Sequence, residues 1–196
     1  MAKLKPAAIG LRAKSGRAIV IVASGTRELP LGIHRAELMM STPATPGTVQ
    51  PFHAVMDLPW EQAEQAARPT ISVIEEMASS ALAALVCDLH SFGFTVREVA
   101  IVGAPERKLH AIGNPHIRAH AAEGVLFRRA LEVAAQANGL RSRALVEKGL
   151  HELAAAELGM PAADVAAHLA RLGQELGRPW RSDEKLAATA AWLVLY

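Results

Sequence analysis

Two sets of side chains have the types and spacing that chemistry needs. His116, His120 and Glu123 stand at i, i+4 and i+7, so on a helix they share one face. Two histidines a turn apart make a workable zinc pair. No glutamate follows His116 directly, so the metalloprotease pattern of a helix is absent. The chain has eight histidines, His110 among them, and chance pairs follow from that number. The plainer expectation is a polar helix face with no metal. The second set is Arg12, Lys14, Ser15, Gly16 and Arg17, crowded into one turn. Backbone N–H groups and cations together can cradle an anion or phosphate. A solvated hairpin turn has the same composition, and it is the default. Gly-x-x-x-x-Gly-Lys spacing is missing and no helix follows, so this is not a P-loop. If the chain holds an anion, Arg12, Lys14, Ser15 and Arg107 are the residues expected to contact it.

Other chemistries lack their signatures. Cys87 lies between Val86 and Asp88 in an apolar helical stretch and reads as a buried small residue, not a nucleophile. No Gly-x-Ser-x-Gly elbow is present. Arg107-Lys108, Arg128-Arg129 and Arg141-Ser142-Arg143 could follow a nucleic-acid backbone if gathered on one surface. Aromatics are only 4% of the chain, so platforms for stacking bases are scarce. Salt-bridged surface is the expectation, with Glu132, Glu147 and Glu152 as available partners. Trp60, Trp180 and Trp192 read as packing residues.

Composition bounds what these residues can belong to. A chain of 196 residues, 51% hydrophobic and 20% charged, can bury a substantial core and is not disordered. A net charge of +2 argues against a polybasic binder. A single cysteine excludes a disulfide framework and any multi-cysteine zinc module. Met1 to Pro6 has a basic flank but no apolar signal-peptide core. No stretch of about 18 apolar residues lacks charges, so no membrane span is expected and the cytoplasm is the default compartment.

The elements that must position these residues follow from patterning. Ala7–Leu11 and the β-branched run Ala18–Val22 read as strands joined by the turn at Lys14–Arg17. Leu31–Met39 alternates as a third, antiparallel strand. Ser41–Phe52, with three prolines and Gly47, reads as a surface loop. Asp57 is the expected cap of a helix over Leu58–Ala67, which Pro69 kinks or restarts. Ile71, Ile74, Met77, Leu82, Leu85 and Leu89 then recur at helical spacing through Thr70–His90, with Gly93 ending the helix. Val96–Val102 predicts a fourth strand. Pro115 opens a helix to about Ala137, stopped by Asn138-Gly139. Leu140–Val146 predicts a short fifth strand. Helices follow over Lys148–Leu158, Ala162–Leu176 and Ser182–Leu195, the last capped by Ser182 or Asp183. The apolar end, Leu193 to Tyr196, is expected to dock. The order β-β-β-α-β-α-β, then helices, predicts an α/β mixed five-stranded sheet with helices on both faces.

This order resembles the ribonuclease H-like fold, and within it the RuvC-type junction resolvase branch. Ile9 to Gly16 is similar to that family's first strand and turn, and Val99 to Val102 to its fourth strand. Pro161 to Val165 and Arg181 to Ala188 resemble its C-terminal helices, with Asp183 the best single match. The resemblance implies one ribonuclease H-like domain over residues 1–196. It also implies a carboxylate cluster holding two divalent ions: one acid mid-first strand, one ending the fourth strand, one or two starting the last helix. The corresponding positions here read Arg12, Val102, Asp183 and Leu186. One acid cannot hold Mg²⁺ tightly, and a guanidinium beside it opposes the ion. The expectation is therefore a degenerate, non-catalytic member acting as a binding or assembly module, with no cofactor. Nucleic acid and a second copy in a homodimer are candidate partners. The alternatives are a divergent Mg²⁺-dependent nuclease or phosphotransfer enzyme using Asp183 with Glu106 or Glu184, and a non-catalytic nucleic-acid-binding protein.

Overall fold

The computed structural model describes residues 3–195, so Met1, Ala2 and Tyr196 lie outside it. Three strands open the chain: β1 (Lys5–Lys14), β2 (Arg17–Gly25) and β3 (Pro30–Met39). The long helix α1 (Trp60–Ser91), β4 (Phe94–Gly103), α2 (Pro115–Ala137) and β5 (Arg141–Val146) follow. Three helices close it: α3 (Leu150–Leu158), α4 (Ala162–Leu176) and α5 (Ser182–Leu193). The strands form one mixed sheet in the order β3-β2-β1-β4-β5. β1, β2 and β3 pair antiparallel, while β4 pairs parallel to both β1 and β5. This is the architecture that the element order implies.

Both faces of the sheet are covered, which explains the unbroken apolar run in β2: Ile19, Val20, Ile21 and Val22 are all buried. On one face, Ile9, Leu11, Val20, Val22, Val99 and Ile101 pack against Ile74, Ala78 and Leu82 of α1 and Phe127 and Leu131 of α2. On the other face, Ala8, Ile21, Ala100 and Val102 pack against Leu186, Ala187, Ala190 and Trp192 of α5, with α3 and α4 outside. The α5 face is built of alanines, so its backbone lies close to the sheet. Gly10 makes that approach feasible: a Cβ there would overlap the Ala187 carbonyl and come within 2.6 Å of the Ala191 nitrogen. Val194 and Leu195 are buried beyond α5, as a docked apolar end requires.

Several local expectations are corrected. Asp57 does not cap α1. The helix begins at Trp60 after Pro59, because a proline disfavours helical geometry in the residue before it. Pro69 neither ends nor restarts α1, which runs through it. Its ring is exposed, and Gln65, whose carbonyl loses its helical donor, is exposed as well. Cys87 is exposed on the outer side of α1, not buried. Neither Ser182 nor Asp183 caps α5. Arg181 occupies the cap position, and Glu184 Oε2 accepts its backbone N–H at 2.8 Å. α3 begins at Leu150, two residues later than expected. By length and composition α1 is also apolar enough to cross a membrane, against the expectation that no segment is. In this fold its inner stripe, Ile74, Ala78, Leu82 and Leu89, is buried in the core beneath the sheet.

Candidate functional site

Because β1, β4 and β5 run parallel, their carboxyl ends meet at one edge of the sheet. Ligands of open α/β sheets bind at such an edge. A cleft of about 840 Å³ lies there, lined by the end of β1 and by the loops after β4 and β5. Arg12, Lys14, Ser15 and Arg107, the residues read as anion contacts, all line it. Glu147 and Lys148 join them from the loop after β5. Sequence reading assigned neither to the site, although both directly follow the carboxyl end of a parallel strand. That position was the available signal.

The register explains how Arg12 sits. It is paired with Val102 on β4, and both point to the face covered by α5. Val102 is fully buried and Leu186, one turn after Asp183, is buried too. The Arg12 side chain is only 15% exposed. Its Nε donates to Asp183 Oδ1 at 3.3 Å and its Nη2 to Glu147 Oε2 at 2.6 Å. Lys14 Nζ donates to the other Asp183 oxygen at 2.9 Å. Partial burial pushes the Asp183 carboxyl up. The hydrogen bond and charge of Lys14, followed by those of Arg12, outweigh it and hold the group below its ordinary value. Asp183 is thus clamped between two cations on β1.

The other candidate acids have partners elsewhere. Glu106 Oε2 accepts from Arg129 Nη2 at 2.8 Å, and its other oxygen accepts from Arg128. The Arg129 hydrogen bond, working against slight burial and aided by Arg128, holds the Glu106 carboxyl below its usual range. Glu184 is 6% exposed and committed to the α5 cap. The expected basic surface is ion-paired: Arg128 with Glu132 as well as Glu106, Arg141 with Glu98, and Arg143 with Glu157. Of the three acids read as partners for those pairs, Glu132 serves Arg128. Glu147 pairs instead with Arg12, and Glu152 makes no ion pair among the described residues. Arg107 and Lys148 make no ion pair among the described residues either. The cleft therefore brings Arg12, Lys14, Arg107 and Lys148 against two acids, Asp183 and Glu147, and keeps a cationic surplus.

The histidine face is arranged differently from its sequence reading. His116 and His120 do stand together on the first turns of α2. Glu123, 2% exposed, accepts from the ring and the backbone N–H of His53, which lies between β3 and α1. His110 lies in a separate 3-10 turn, Leu109–Ala111. Sequence spacing could not join His53 to α2, because the contact is made only by the fold.

No protein-family model matches the chain, and no curated protein does. Among solved structures, the chain is similar to the Thermus thermophilus RuvC structure, with a TM-score of 0.52 and 13% identity over 95% of this chain and 92% of that one. A second similar structure is T. thermophilus RuvC in complex with Holliday junction substrate, with a TM-score of 0.49 and 15% identity over 95% and 90%. At this identity the first likeness establishes the fold alone: a mixed five-stranded α/β sheet with helices, as in that RuvC structure.

Proposed function

We propose that this chain is a ribonuclease H-like domain that binds an anionic ligand in its cleft and does not cleave it. The phosphate backbone of a nucleic acid is the ligand class that fits best. One observation carries this reading: Asp183 is held by Arg12 and Lys14, at the place where the fold family holds divalent ions. The donor set does not fit such ions. Two of the corresponding positions are the buried apolar Val102 and Leu186, and a third is the cation Arg12. At an effective dielectric of about 20, unit charges 4 Å apart interact by about 4 kcal/mol. What one carboxylate gains from a divalent ion, one guanidinium at comparable distance takes back. Lys14 then tips the balance against the ion. Glu106 and Glu184, the acids of the alternative reading, are engaged by Arg128 and Arg129 and by the α5 cap.

The same charges favour an anion. A phosphate entering the cleft meets Arg107 and Lys148, which make no ion pair among the described residues, and can compete with Asp183 and Glu147 for Arg12 and Lys14. Ser15 adds an exposed hydroxyl at the rim.

The test is a cleavage assay on branched DNA and RNA–DNA hybrids with Mg²⁺ or Mn²⁺, run beside binding measured by anisotropy on the same substrates. The expected result is binding without cleavage. Robust cleavage abolished by Asp183→Ala would reverse the reading. Absent binding, or binding insensitive to salt, would remove nucleic acid as the ligand.

A further inference from the structure

We infer that His53, His116 and His120 form a binding site for a divalent transition-metal ion of the zinc type, with Glu123 as its positioning residue. The site is separate from the cleft and does not rest on the binding reading above. One ligand nitrogen from each of the three histidines lies within 4.8 Å of the other two. The Nε2 atoms of His116 and His120 are 3.2 Å apart. Two nitrogens on a tetrahedral zinc, each bonded at about 2.0–2.1 Å, stand about 3.3 Å from one another. The three rings are pairwise edge-to-face, with centroids 4.4, 4.5 and 5.0 Å apart and interplanar angles of 73–84°. They meet edge to face and do not stack.

A second observation points to a ligand. The Glu123 carboxylate takes His53 Nδ1 at 2.8 Å and the His53 backbone N–H at 3.1 Å. A carboxylate only accepts, so Nδ1 carries a proton, and in the neutral ring Nε2 carries the lone pair. That Nε2 is buried and has no hydrogen-bond partner. A buried lone pair beside two further imidazoles, backed by a buried carboxylate, is the carboxylate–histidine–metal arrangement. Three imidazoles and no oxygen ligand suit zinc, copper or nickel, not Mg²⁺ or Ca²⁺. The positive end of α2 opposes a cation there, and the Glu123 charge offsets it. His116 and His120 are exposed, so the fourth position opens to solvent and takes a water. A bound ion would tie the irregular segment between β3 and α1 to α2.

The test uses the untagged full chain. Titration with Co²⁺ should give one equivalent of binding and the intense visible bands of a tetrahedral ion, displaced by Zn²⁺. His116→Ala and His120→Ala should each weaken binding at least tenfold, and the double variant should abolish it. Both side chains are exposed, so the fold should survive, as circular dichroism will report. Glu123→Gln should weaken binding by about 10–100-fold. Zn²⁺ at a hundredfold excess over Kd should raise the wild-type Tm by about 5–10 °C and leave the double variant unchanged. A wild-type chain without a saturable cobalt spectrum overturns the site, as does a folded double variant that binds equally well.

Discussion

Arg12 sets the local charge balance at the end of β1 because of what it touches. With 15% of its side chain exposed, it needs counter-charges, and Asp183 and Glu147 supply them. Removing one partner of such a cluster leaves charge poorly compensated. Asp183→Asn should therefore destabilise the fold by about 1–2 kcal/mol, between the values for exposed and buried pairs. The pH dependence follows from the direction of the shift. Lys14 and Arg12 hold the folded Asp183 below its unfolded value of about 3.9. Its stabilisation is thus fully present above about pH 4 and is lost as pH falls through the lower, folded value. Denaturant melts of wild type and Asp183→Asn should differ at pH 7 and converge in acid. A difference that persists at pH 2 would assign the effect to packing and not to the ion pair.

At the scale of elements, the seating of α5 on the sheet depends on Gly10. A methyl group at that position meets backbone, not a movable side chain, so the helix must shift. Gly10→Ala should cost about 3 kcal/mol and lower the denaturation midpoint without changing the slope. Pro69 is the opposite case. It sits exposed inside α1 and removes a helical hydrogen bond, so Pro69→Ala should stabilise by about 1–3 kcal/mol, read as a higher Tm. These elements differed in how far the chain revealed them. α2 and α4 start and stop where local residues say, because Asn114-Pro115, Asn138-Gly139 and Pro161 act within one turn. The start of α1 was misplaced because Pro59 outweighs a good capping residue two positions earlier. The cationic turn of β1 was legible, but its pairing with Asp183 was not, since 169 positions separate Lys14 from it. The histidine cluster was half legible for the same reason: α2 periodicity joins His116 to His120, and only tertiary packing adds His53 as the partner of Glu123.

For the molecule as a whole, a net charge of +2 is too small for a broad electrostatic footprint. The arginine clusters outside the cleft, Arg128-Arg129 and Arg141 with Arg143, are matched with acids, so these clusters add little to the surplus. This distinguishes a cleft binder from a polybasic surface. Neutralising Z phosphates gives a slope of about −0.9Z in log K against log salt on duplex DNA. Cleft cations numbering Arg12, Lys14, Arg107 and Lys148, half of them pre-paired, predict a slope of about −2 to −4. Arg107→Ala removes an exposed cation that makes no ion pair among the described residues, so it should lower affinity and make the slope shallower by about one. Arg141→Ala removes a cation already paired with Glu98 and should leave the slope where it was. Anisotropy titrations of the two variants between low and moderate salt make the comparison. If both variants shift the slope equally, the contact is diffuse and the cleft is not where the anion sits. If only Arg107→Ala does, the binding charge is localised at the carboxyl ends of β1, β4 and β5.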